Sequence, residues 1–281
     1  MQGLFDYSIV VVDNDRSESA CQVVEFYSRQ SKISISYCVE TEQNISLARN
    51  KAIENSKGDF ISLIDDDEFP SDDWLLTLFK ALRLYKVDGI LGPVLPQFEE
   101  KPPKWVLKGH FFDRKNHPSG HVLVWQNTRT GNALLRWGLF KDNTKWFDPA
   151  FGSGGEDRDF FRRKIEEGHI FVWCNEAPVF ETVPPGRWKK TVMMKRALLR
   201  GKMALNAARS KPKSVLTSLF AIGLYTVCLP LFLILGHHVF MKYLIKTCDH
   251  LGKLFAYFGI DLVKEKYVSS HTPVKDGGLM S

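Results

Sequence analysis

The sequence predicts an α/β protein to which basic and apolar helices are added at the C-terminal end. Three observations support this: short apolar runs alternate with helical patterns as far as residue 185, acidic residues follow two of these runs, and a long uncharged segment comes later. Such alternation is typical of a sheet flanked by helices. With 281 residues, 44% of them hydrophobic, the chain can bury a large core, which excludes a disordered protein.

The first four predicted elements are two strands and two helices. Residues 8–12 form an apolar run that ends at Asp13, which is typical of a buried parallel strand. Residues 17–27 predict a helix and residues 33–39 a second strand. Residues 44–56 predict a second helix, because their apolar side chains recur at helical spacing.

A third strand is predicted at residues 60–64, and it leads into the acidic run 65–68. Ser71 is the predicted N-cap of the next helix, which would have two aspartates in its first turn and an apolar stripe over residues 74–82. Residues 99–120 contain three prolines and predict a loop over one face. Further strands are expected at residues 89–94, 121–125, 131–135 and 170–173.

The acidic run is the strongest chemical signal in the sequence. Alternate side chains of an extended segment share a face, so Asp65 and Asp67 can converge on one divalent cation while Asp66 points elsewhere. Adjacent carboxylates repel one another, and a metal ion or basic groups offset that cost. An acidic, solvated turn ahead of a helix is the alternative interpretation.

A second chemical signal is the glycine-rich and acidic stretch from Gly152 to Asp159. Glycines let the backbone approach a ligand closely, and Glu156 or Asp157 at a helix start would hold a carboxylate beside that ligand. A carboxylate in this position is suited to act as a general base toward a hydroxyl. An ordinary glycine loop followed by an acidic helix N-terminus is the alternative.

The positive charge is concentrated in one segment. The whole chain carries +6, but residues 186–214 hold ten Lys or Arg and no acidic residue, so the remainder carries −4. A basic segment directly ahead of an apolar one favours an anionic membrane surface as the partner. We expect no nucleic-acid partner, because no base-reading motif accompanies the basic residues.

Residues 214–236 contain no charged residue and, as a helix, would extend about 35 Å, enough to span a bilayer. Three interpretations stay open: a transmembrane helix, a re-entrant or in-plane segment with a kink at Pro230, and a buried core helix. The predicted organisation is an α/β domain at 1–185, a basic amphipathic helix at 186–213, the apolar segment at 214–236, an interfacial amphipathic helix at 237–268 and a flexible tail at 269–281.

Cysteine usage and the N-terminal sequence predict a reducing compartment. Five cysteines are scattered without pairing or metal-ligand spacing, and no secretion signal opens the chain. The positive-inside rule then places the α/β domain at the cytoplasmic face of the inner (plasma) membrane, associated with it through residues 186–260.

Five motifs occur in a characteristic order over residues 5–190. They are Val11-Val-Asp-Asn14, Leu47-Ala-Arg-Asn-Lys-Ala52, Asp65-x-Asp67, Thr130-Gly-Asn132, and Gly154-Gly-Glu-Asp157 with Asp159. Together they resemble glycosyltransferase family 2, whose members are inverting nucleotide-sugar enzymes. The similarity is greatest to bacterial exopolysaccharide and lipopolysaccharide transferases with a C-terminal membrane anchor. The resemblance implies the GT-A fold, a Rossmann-like arrangement in which helices flank a mixed, mainly parallel sheet.

The resemblance also implies a binding site for a nucleotide-sugar donor, with uracil as the expected base. By position in the motifs, Asp13 would contact the base, and Arg49 and Asn50 would line the nucleotide pocket. Asp65 would face the ribose or the metal. Asp67 would ligate the Mg²⁺ or Mn²⁺ that bridges the diphosphate.

On the acceptor side, the same resemblance implies that Asp157 is the general base and that Glu156 beside it helps to hold the acceptor. Arg187 and Trp188 are similar to the cationic and aromatic residues that cover the diphosphate and acceptor in membrane-bound members. Trp105, in the proline-rich loop, could stack on an acceptor sugar.

Two features of the sequence differ from the family pattern. Relatives begin with a strand, a loop and a helix before the strand that matches residues 9–12, whereas Met1 stands where that helix would end. We therefore expect a central strand to be absent and two long strand edges to be unpaired, which favours aggregation. Many relatives place a His near the position of Glu181, which leaves a third metal ligand open.

The function implied is inverting, metal-dependent transfer of a sugar from a UDP-sugar to a lipid-linked or membrane-proximal glycan in the synthesis of cell-surface polysaccharide. Two alternatives stay open. One is a polyprenyl-phosphate glycosyltransferase with the same fold and metal motif. The other is an inactive, membrane-tethered protein that binds nucleotide sugars or serves as a scaffold.

Overall fold

A computed structural model describes residues 5–141, 146–152, 154–206, 208, 210–260 and 262–263. The predicted mixed α/β class is confirmed, since sheets and flanking helices alternate along the chain. The strands are β1 (Ile9–Asp13), β2 (Ile35–Val39), β3 (Phe60–Ile64), β4 (Glu68–Pro70), β5 (Gly89–Leu91), β6 (Val94–Phe98), β7 (Asn132–Arg136), β8 (Phe171–Trp173) and β9 (Val179–Val183). The α-helices are α1 (Cys21–Gln30), α2 (Ile45–Glu54), α3 (Trp74–Tyr85), α4 (Lys104–Gly109), α5 (Glu156–Glu166), α6 (Lys190–Asn206), α7 (Lys211–Leu235) and α8 (His237–Tyr257).

The described strands form three sheets. Strands β1 and β2 pair in parallel, and β3, β7, β5 and β8 form a four-stranded sheet in that order. Strands β4, β9 and β6 form a third sheet. Pairing is mixed, because β5–β8 and β6–β9 are also parallel whereas β3–β7, β5–β7 and β4–β9 are antiparallel.

The four-stranded sheet separates two hydrophobic clusters. Neighbouring residues of β7 point to opposite faces, so Leu135 joins the cluster that contains Phe160 of α5, whereas Leu134 joins the cluster that contains Leu78 of α3. Helices α2 and α5 therefore cover one face and α3 covers the other, as in a layered α/β domain.

Strands β1 and β3 each have one edge without a hydrogen-bonded neighbour in the part of the chain that the structure describes. β1 pairs with β2 alone, and β3 pairs with β7 alone.

Several predicted boundaries differ from the structure for physical reasons. Helix α1 begins at Cys21, not at Ser17, because Asp13 and Asp15 accept backbone N–H bonds from Ala20 and Ser17 and hold the preceding residues in turns. Helix α3 has Asp73 at its N-cap position, so the prediction of Ser71 as the N-cap was wrong.

Proline and loop geometry account for further differences. The predicted strand 89–94 is two strands, β5 and β6, that belong to different sheets and are separated at Gly92 and Pro93. Residues 121–125 contribute only one bridge, between Val122 and Val172, and the predicted loop 99–120 contains the short helix α4.

The C-terminal helices form a layer in which α8 lies between α6 and α7. The predicted basic helix 186–213 is not one helix but a 3₁₀ turn at Pro185–Trp188 followed by α6. Lys211 and Lys213, predicted to end that basic helix, instead lie in the first turn of α7. Helix α8 ends at Tyr257, earlier than predicted, and the predicted tail 269–281 lies outside the described residues.

Two glycines set the close contact between α6 and α8. A Cβ on Gly201 would lie 2.0 Å from the backbone oxygen of Asp249, and a Cβ on Gly252 would lie 2.1 Å from the backbone oxygen of Leu198. Backbone oxygens cannot move aside as side chains do, so the helices meet at this distance only with glycine at both positions.

We predict that Gly252→Ala lowers the free energy of unfolding by about 1–3 kcal/mol, because the methyl group forces α6 and α8 apart. The matched control is Gly223→Ala in α7, where nothing lies within 4 Å of the added methyl group. That control should raise helix stability by about 0.5–1 kcal/mol. Denaturant unfolding in detergent measures both, and equal effects of the two substitutions would contradict the glycine contact.

Candidate active site

A group of carboxylates forms where β3 turns into β4. Asp65 follows β3 directly, and its backbone N–H donates to Glu68 Oε2 over 3.2 Å. Glu68 begins β4, and antiparallel pairing with β9 puts it opposite Glu181. Asp67 is joined to the same strand, since its carbonyl accepts from Thr182 N over 2.8 Å. The pairing of β4 with β9 therefore brings Asp67 and Glu68 close to Glu181.

The motif Thr130-Gly131-Asn132 makes room for these carboxylates. A Cβ on Gly131 would lie 2.6 Å from Glu68 Oε1 and 3.1 Å from Asp65 Oδ2, so a side chain there would displace the acidic groups. Asn132 is buried, and it accepts from the Trp74 indole and donates to two backbone carbonyls. Glycine thus permits the close approach, and asparagine fixes the start of β7.

Two arginines neutralise part of the acidic group. Arg187, in the 3₁₀ turn after β9, lies 3.1 Å from Asp67 Oδ2 and 2.7 Å from Glu181 Oε1. Arg114, from the loop after α4, pairs with Glu181 and lies 3.7 Å from Glu68 Oε1. Like charges directly opposite each other destabilise a strand pair, so Arg114 offsets the repulsion between Glu68 and Glu181.

Arg49 of α2 joins this group to the acidic helix start at α5. Its Nη2 lies 3.0 Å from Asp65 Oδ1, and its Nη1 pairs with the buried Glu156. Helix α2 is held in place at its start by Asn44, which caps it through Ser46 N and Leu47 N and donates to Pro149 O. The guanidinium therefore bridges the two segments that the sequence singled out.

Burial raises the pKa of Glu68 to about 8, with the neighbouring Asp65 as the next contribution. Burial, followed by the charge of Glu181, also raises the pKa of Asp67, while Arg187 acts in the opposite direction. Glu68 Oε1 and Glu156 Oε2 are buried without a hydrogen bond from the protein. The group holds five carboxyl groups, which outnumber the three arginines paired with them: Asp65, Asp67, Glu68, Glu156 and Glu181 against Arg49, Arg114 and Arg187.

These residues fit a hard divalent cation only if another ligand completes its coordination. Carboxylate oxygens are the ligands that Mg²⁺ and Mn²⁺ take, and the excess negative charge favours a cation. Among the described residues, however, no three His, Cys, Asp or Glu side chains converge as a metal cage. Asp65 and Asp67 suit a cation shared with a bound diphosphate, since Mg²⁺ is commonly held by one or two carboxylates plus substrate phosphates.

Glu156 and Asp157 face different surroundings at the start of α5. The Glu156 side chain is 4% exposed and occupied by Arg49, whereas Asp157 is partly exposed and accepts from the Arg158 backbone N–H over 2.7 Å. Of the two, Asp157 is the carboxylate that an external hydroxyl can reach.

Two of the residues predicted to contact the nucleotide, Asp13 and Asn50, form hydrogen bonds within the protein. Asp13 is 8% exposed, and its carboxylate accepts from Tyr37 Oη and from the backbone N–H groups of Asp15 and Ala20. Asn50 is buried, and it exchanges two hydrogen bonds with the backbone of Phe147 at 2.8 and 2.9 Å. Asn50 therefore anchors α2 to the segment before α5, and the nucleotide contacts of both residues stay predictions.

The two predicted acceptor-site tryptophans pack inside the protein. Trp188 is 9% exposed and lies against Phe98, with ring centroids 5.6 Å apart. Trp105 lies between Phe111 and His237, with ring centroids 5.3 and 5.5 Å away. Their observed contacts connect the sheet to the C-terminal helices, and we do not include either in the proposed acceptor site.

Sequence reasoning missed three members of the site. Glu68 was treated only as part of an acidic run, although it is the most deeply buried carboxylate of that run. Arg114 was hidden in a proline-rich loop. Arg129 has its pKa lowered by burial and by Arg114, while the charges of Asp157 and Glu181 raise it, which places this residue between the two acidic segments. Its position directly before Thr130-Gly131-Asn132 was the available signal.

The fold and the site together define a family of sugar-transferring enzymes. The family model described as Glycosyl transferase family 2 matches residues 2–145, which is just over half of the chain. The protein therefore belongs to glycosyltransferase family 2.

Among curated proteins, the chain is similar to the succinoglycan biosynthesis protein ExoM of Rhizobium meliloti, with 36% identity over 197 residues. That match covers 69% of this chain and 62% of ExoM, so it spans less than two thirds of the relative. The poly(ribitol-phosphate) β-N-acetylglucosaminyltransferase TarS of Staphylococcus aureus is 21% identical over 64% of this chain and 31% of its own length. A crystal structure of S. aureus TarS residues 1–349 with UDP-GlcNAc aligns with a TM-score of 0.49 at 14% identity, over 95% of this chain and 89% of that one.

We predict that the free energy of unfolding of the metal-free protein falls as the pH rises toward 8. The folded pKa of Glu68, about 8, lies above the ordinary value of 4.5, so between these values the folded state retains a proton that the unfolded chain has released. The stability from this group is present below about pH 4.5 and is lost as the pH passes through about 8.

Glu68→Gln should flatten this dependence, because the amide stays uncharged at every pH. Urea unfolding at several pH values with a chelator measures the slope, and Glu54→Gln, at an exposed helix end, serves as the control. A slope that Glu68→Gln leaves unchanged would show that another group is responsible.

Proposed function

We propose that the protein is an inverting glycosyltransferase that moves a sugar from a UDP-sugar to a lipid-linked or membrane-proximal glycan during polysaccharide synthesis. The observation that carries the proposal is the bridge by Arg49 between Asp65 and Glu156, since it joins the motif for the donor to the motif for the acceptor. The similarity to ExoM, whose name refers to succinoglycan biosynthesis, supports a polysaccharide as the product.

On the donor side, Asp65 and Asp67 would hold Mg²⁺ or Mn²⁺ against the diphosphate. When bound there, the cation would supply Lewis-acid neutralisation of the charge on the departing nucleotide. Arg187 already lies beside Asp67, so its guanidinium is placed to contact the same diphosphate. A donor that binds there would exchange some of the pairing between arginine and carboxylate for pairing between arginine and phosphate.

On the acceptor side, Asp157 would remove the proton of the attacking hydroxyl. The acceptor oxygen forms the new bond to the anomeric carbon while the bond from that carbon to the diphosphate oxygen breaks, and the proton passes to the Asp157 carboxylate. One displacement from the face opposite the leaving group inverts the anomeric configuration. Glu156 would act as a positioning residue, because it touches Arg49.

The membrane-associated part of the proposal depends on α7. Among the described helices, Lys211–Leu235 is long and apolar enough to cross a membrane, with a mean hydropathy of 2.3 in its most apolar window and only 6% of that window buried. A buried core helix is therefore not what the structure shows. We propose that the protein associates with the cytoplasmic face of the plasma membrane, where a lipid-linked acceptor would be available.

We predict that Asp67→Asn abolishes Mn²⁺-dependent binding of UDP, because it removes one of the two carboxylates that would share the cation with the diphosphate. Isothermal calorimetry in detergent, with Mn²⁺ and with a chelator, measures the effect. The matched control is Asp66→Asn, which removes the same charge from the exposed neighbouring position and should bind UDP as the unmodified protein does. Equal binding by both variants would contradict the site.

We predict that Asp157→Asn lowers kcat by about 10²–10⁴-fold and leaves the UDP affinity unchanged, since a general base acts in the transition state and not on the donor. Glu156→Gln should weaken donor binding as well as kcat, because Arg49 loses an anchor near Asp65. Turnover of a radiolabelled UDP-sugar on a membrane extract, together with calorimetry, separates these outcomes. An Asp157→Asn enzyme with full kcat would exclude this residue as the base.

A further inference from the structure

Helix α7 presents a continuous apolar face to solvent. Phe220 is 75% exposed, Val227 80% and Ile234 83%. These residues are seven apart, so they lie on one side of the helix, opposite the side that Ser218, Tyr225 and Phe232 turn toward α8. An exposed apolar surface of this length marks a contact with lipid or with another protein.

Helix α8 returns along α7 in the opposite direction. Ser218 bonds to His250 at 3.0 Å near one end, and the ring of Phe232 stacks on Tyr243 at 3.9 Å near the other. The two helices therefore pack side by side from Ser218 to Phe232 of α7. Four charged residues of α8 are distributed along this length, namely Lys242, Lys246, Asp249 and Lys253.

A membrane-spanning α7 would carry these charges into the hydrocarbon. A charged side chain at the bilayer centre is strongly disfavoured, and α8 has several. Helix α8 cannot be released easily, because the glycine contacts and the ion pair between Arg200 and Asp249, 3.0 Å long, fix it to α6. The packing therefore opposes a crossing.

The end of α7 also returns to the α/β domain. Helix α8 starts immediately after Gly236, and His237 packs against Trp105 of α4, with ring centroids 5.5 Å apart. Met193 of α6 and Met241 of α8 belong to one hydrophobic cluster with Val106 of α4. The turn between α7 and α8 therefore lies beside the α/β domain, where a crossing would place it on the other side of the membrane.

Helix α8 has a basic side and, opposite it, an apolar side. Lys242, Lys246 and Lys253 are four and seven residues apart and share one side. The opposite side carries apolar residues at the same spacing, namely Phe240, Leu244, Leu251 and Phe255, of which Phe240 and Leu244 pack against the hydrophobic cluster shared with α4 and α6. Part of the apolar side of α8 is thus used in packing within the protein, whereas Lys242 and Lys246 are exposed and add positive charge beside α7.

We propose that α7, at one edge of the layer formed by α6, α8 and α7, lies in the plane of an anionic membrane surface, with its outer half embedded among the acyl chains and no helix crossing the bilayer. This inference rests on the membrane association in the proposed function and specifies its geometry. The lysines of α8, together with Lys211 and Lys213 at the start of α7, provide the charge that acidic headgroups complement. A lipid surface is the proposed partner, since only this partner matches the apolar face and its basic border together.

Vesicle flotation tests the lipid partner. The purified full chain should float with vesicles of phosphatidylglycerol and phosphatidylcholine and bind at least tenfold less to phosphatidylcholine alone. The double variant Phe220→Asp, Val227→Asp should lose flotation at least tenfold, whereas Leu84→Asp on α3, where the leucine is 73% exposed, should float normally. Circular dichroism verifies that all variants are folded. Equal flotation of the two variants would overturn the proposal, as would a lipid-free dimer held together by the α7 face.

Cysteine labelling tests the geometry. Cys21, Cys38 and Cys228 are replaced by serine, and Lys211→Cys or Lys242→Cys is introduced at an exposed position. In sealed vesicles with added protein, an impermeant maleimide should label both positions to the same extent before and after detergent. Protection of either position until detergent is added would show a crossing and overturn the in-plane position of α7. UDP binding, measured on the same samples, reports separately on the proposed function.

Discussion

The site depends on carboxylates that the fold holds close together. Arginines pair with them and offset the repulsion between their charges. Glu68 and Glu181 lie opposite each other on paired strands, and Asp65 and Asp67 precede Glu68 on the chain. Without Arg49, Arg114 and Arg187, which come from three separate segments, this arrangement would push the strands apart. Because each arginine must reach these carboxylates, α2, the proline-rich loop and the 3₁₀ turn after β9 all meet at the site.

Polar contacts fix α2 in addition to the apolar packing of its buried Ile53. Asn44 and Asn50 connect it to the backbone of residues 147–149, and Arg49 connects it to both acidic segments. Polar bonds of this kind are directional, so they fix the rotation of the helix as well as its distance. The positions of Asp65 and Glu156 relative to each other follow from that rotation.

Much of the fold could be predicted because it depends on local pattern. The apolar runs of β1 and β3, the helical spacing of α2 and the motif Asp65-x-Asp67 are short-range signals. The rest depends on contacts far apart in the chain: Arg114 reaches Glu181 from a loop without periodicity, and Trp188 is buried because α6 and α8 pack beside it. Ser71 had the chemistry of an N-cap, but α3 starts three residues later with Asp73 at its N-cap position, and Ser71 accepts from Trp74 N only through its backbone carbonyl, over 3.0 Å.

The connection between the 3₁₀ turn and α6 is very short. Arg187 precedes Lys190, the first residue of α6, by three positions. The guanidinium group beside Asp67 is therefore closely coupled in position to the helical layer. With that layer resting on a lipid surface through α7, the carboxylates would be held at a constant height above the headgroups. Under the proposed function, only an acceptor whose reacting hydroxyl lies at that height would receive a sugar.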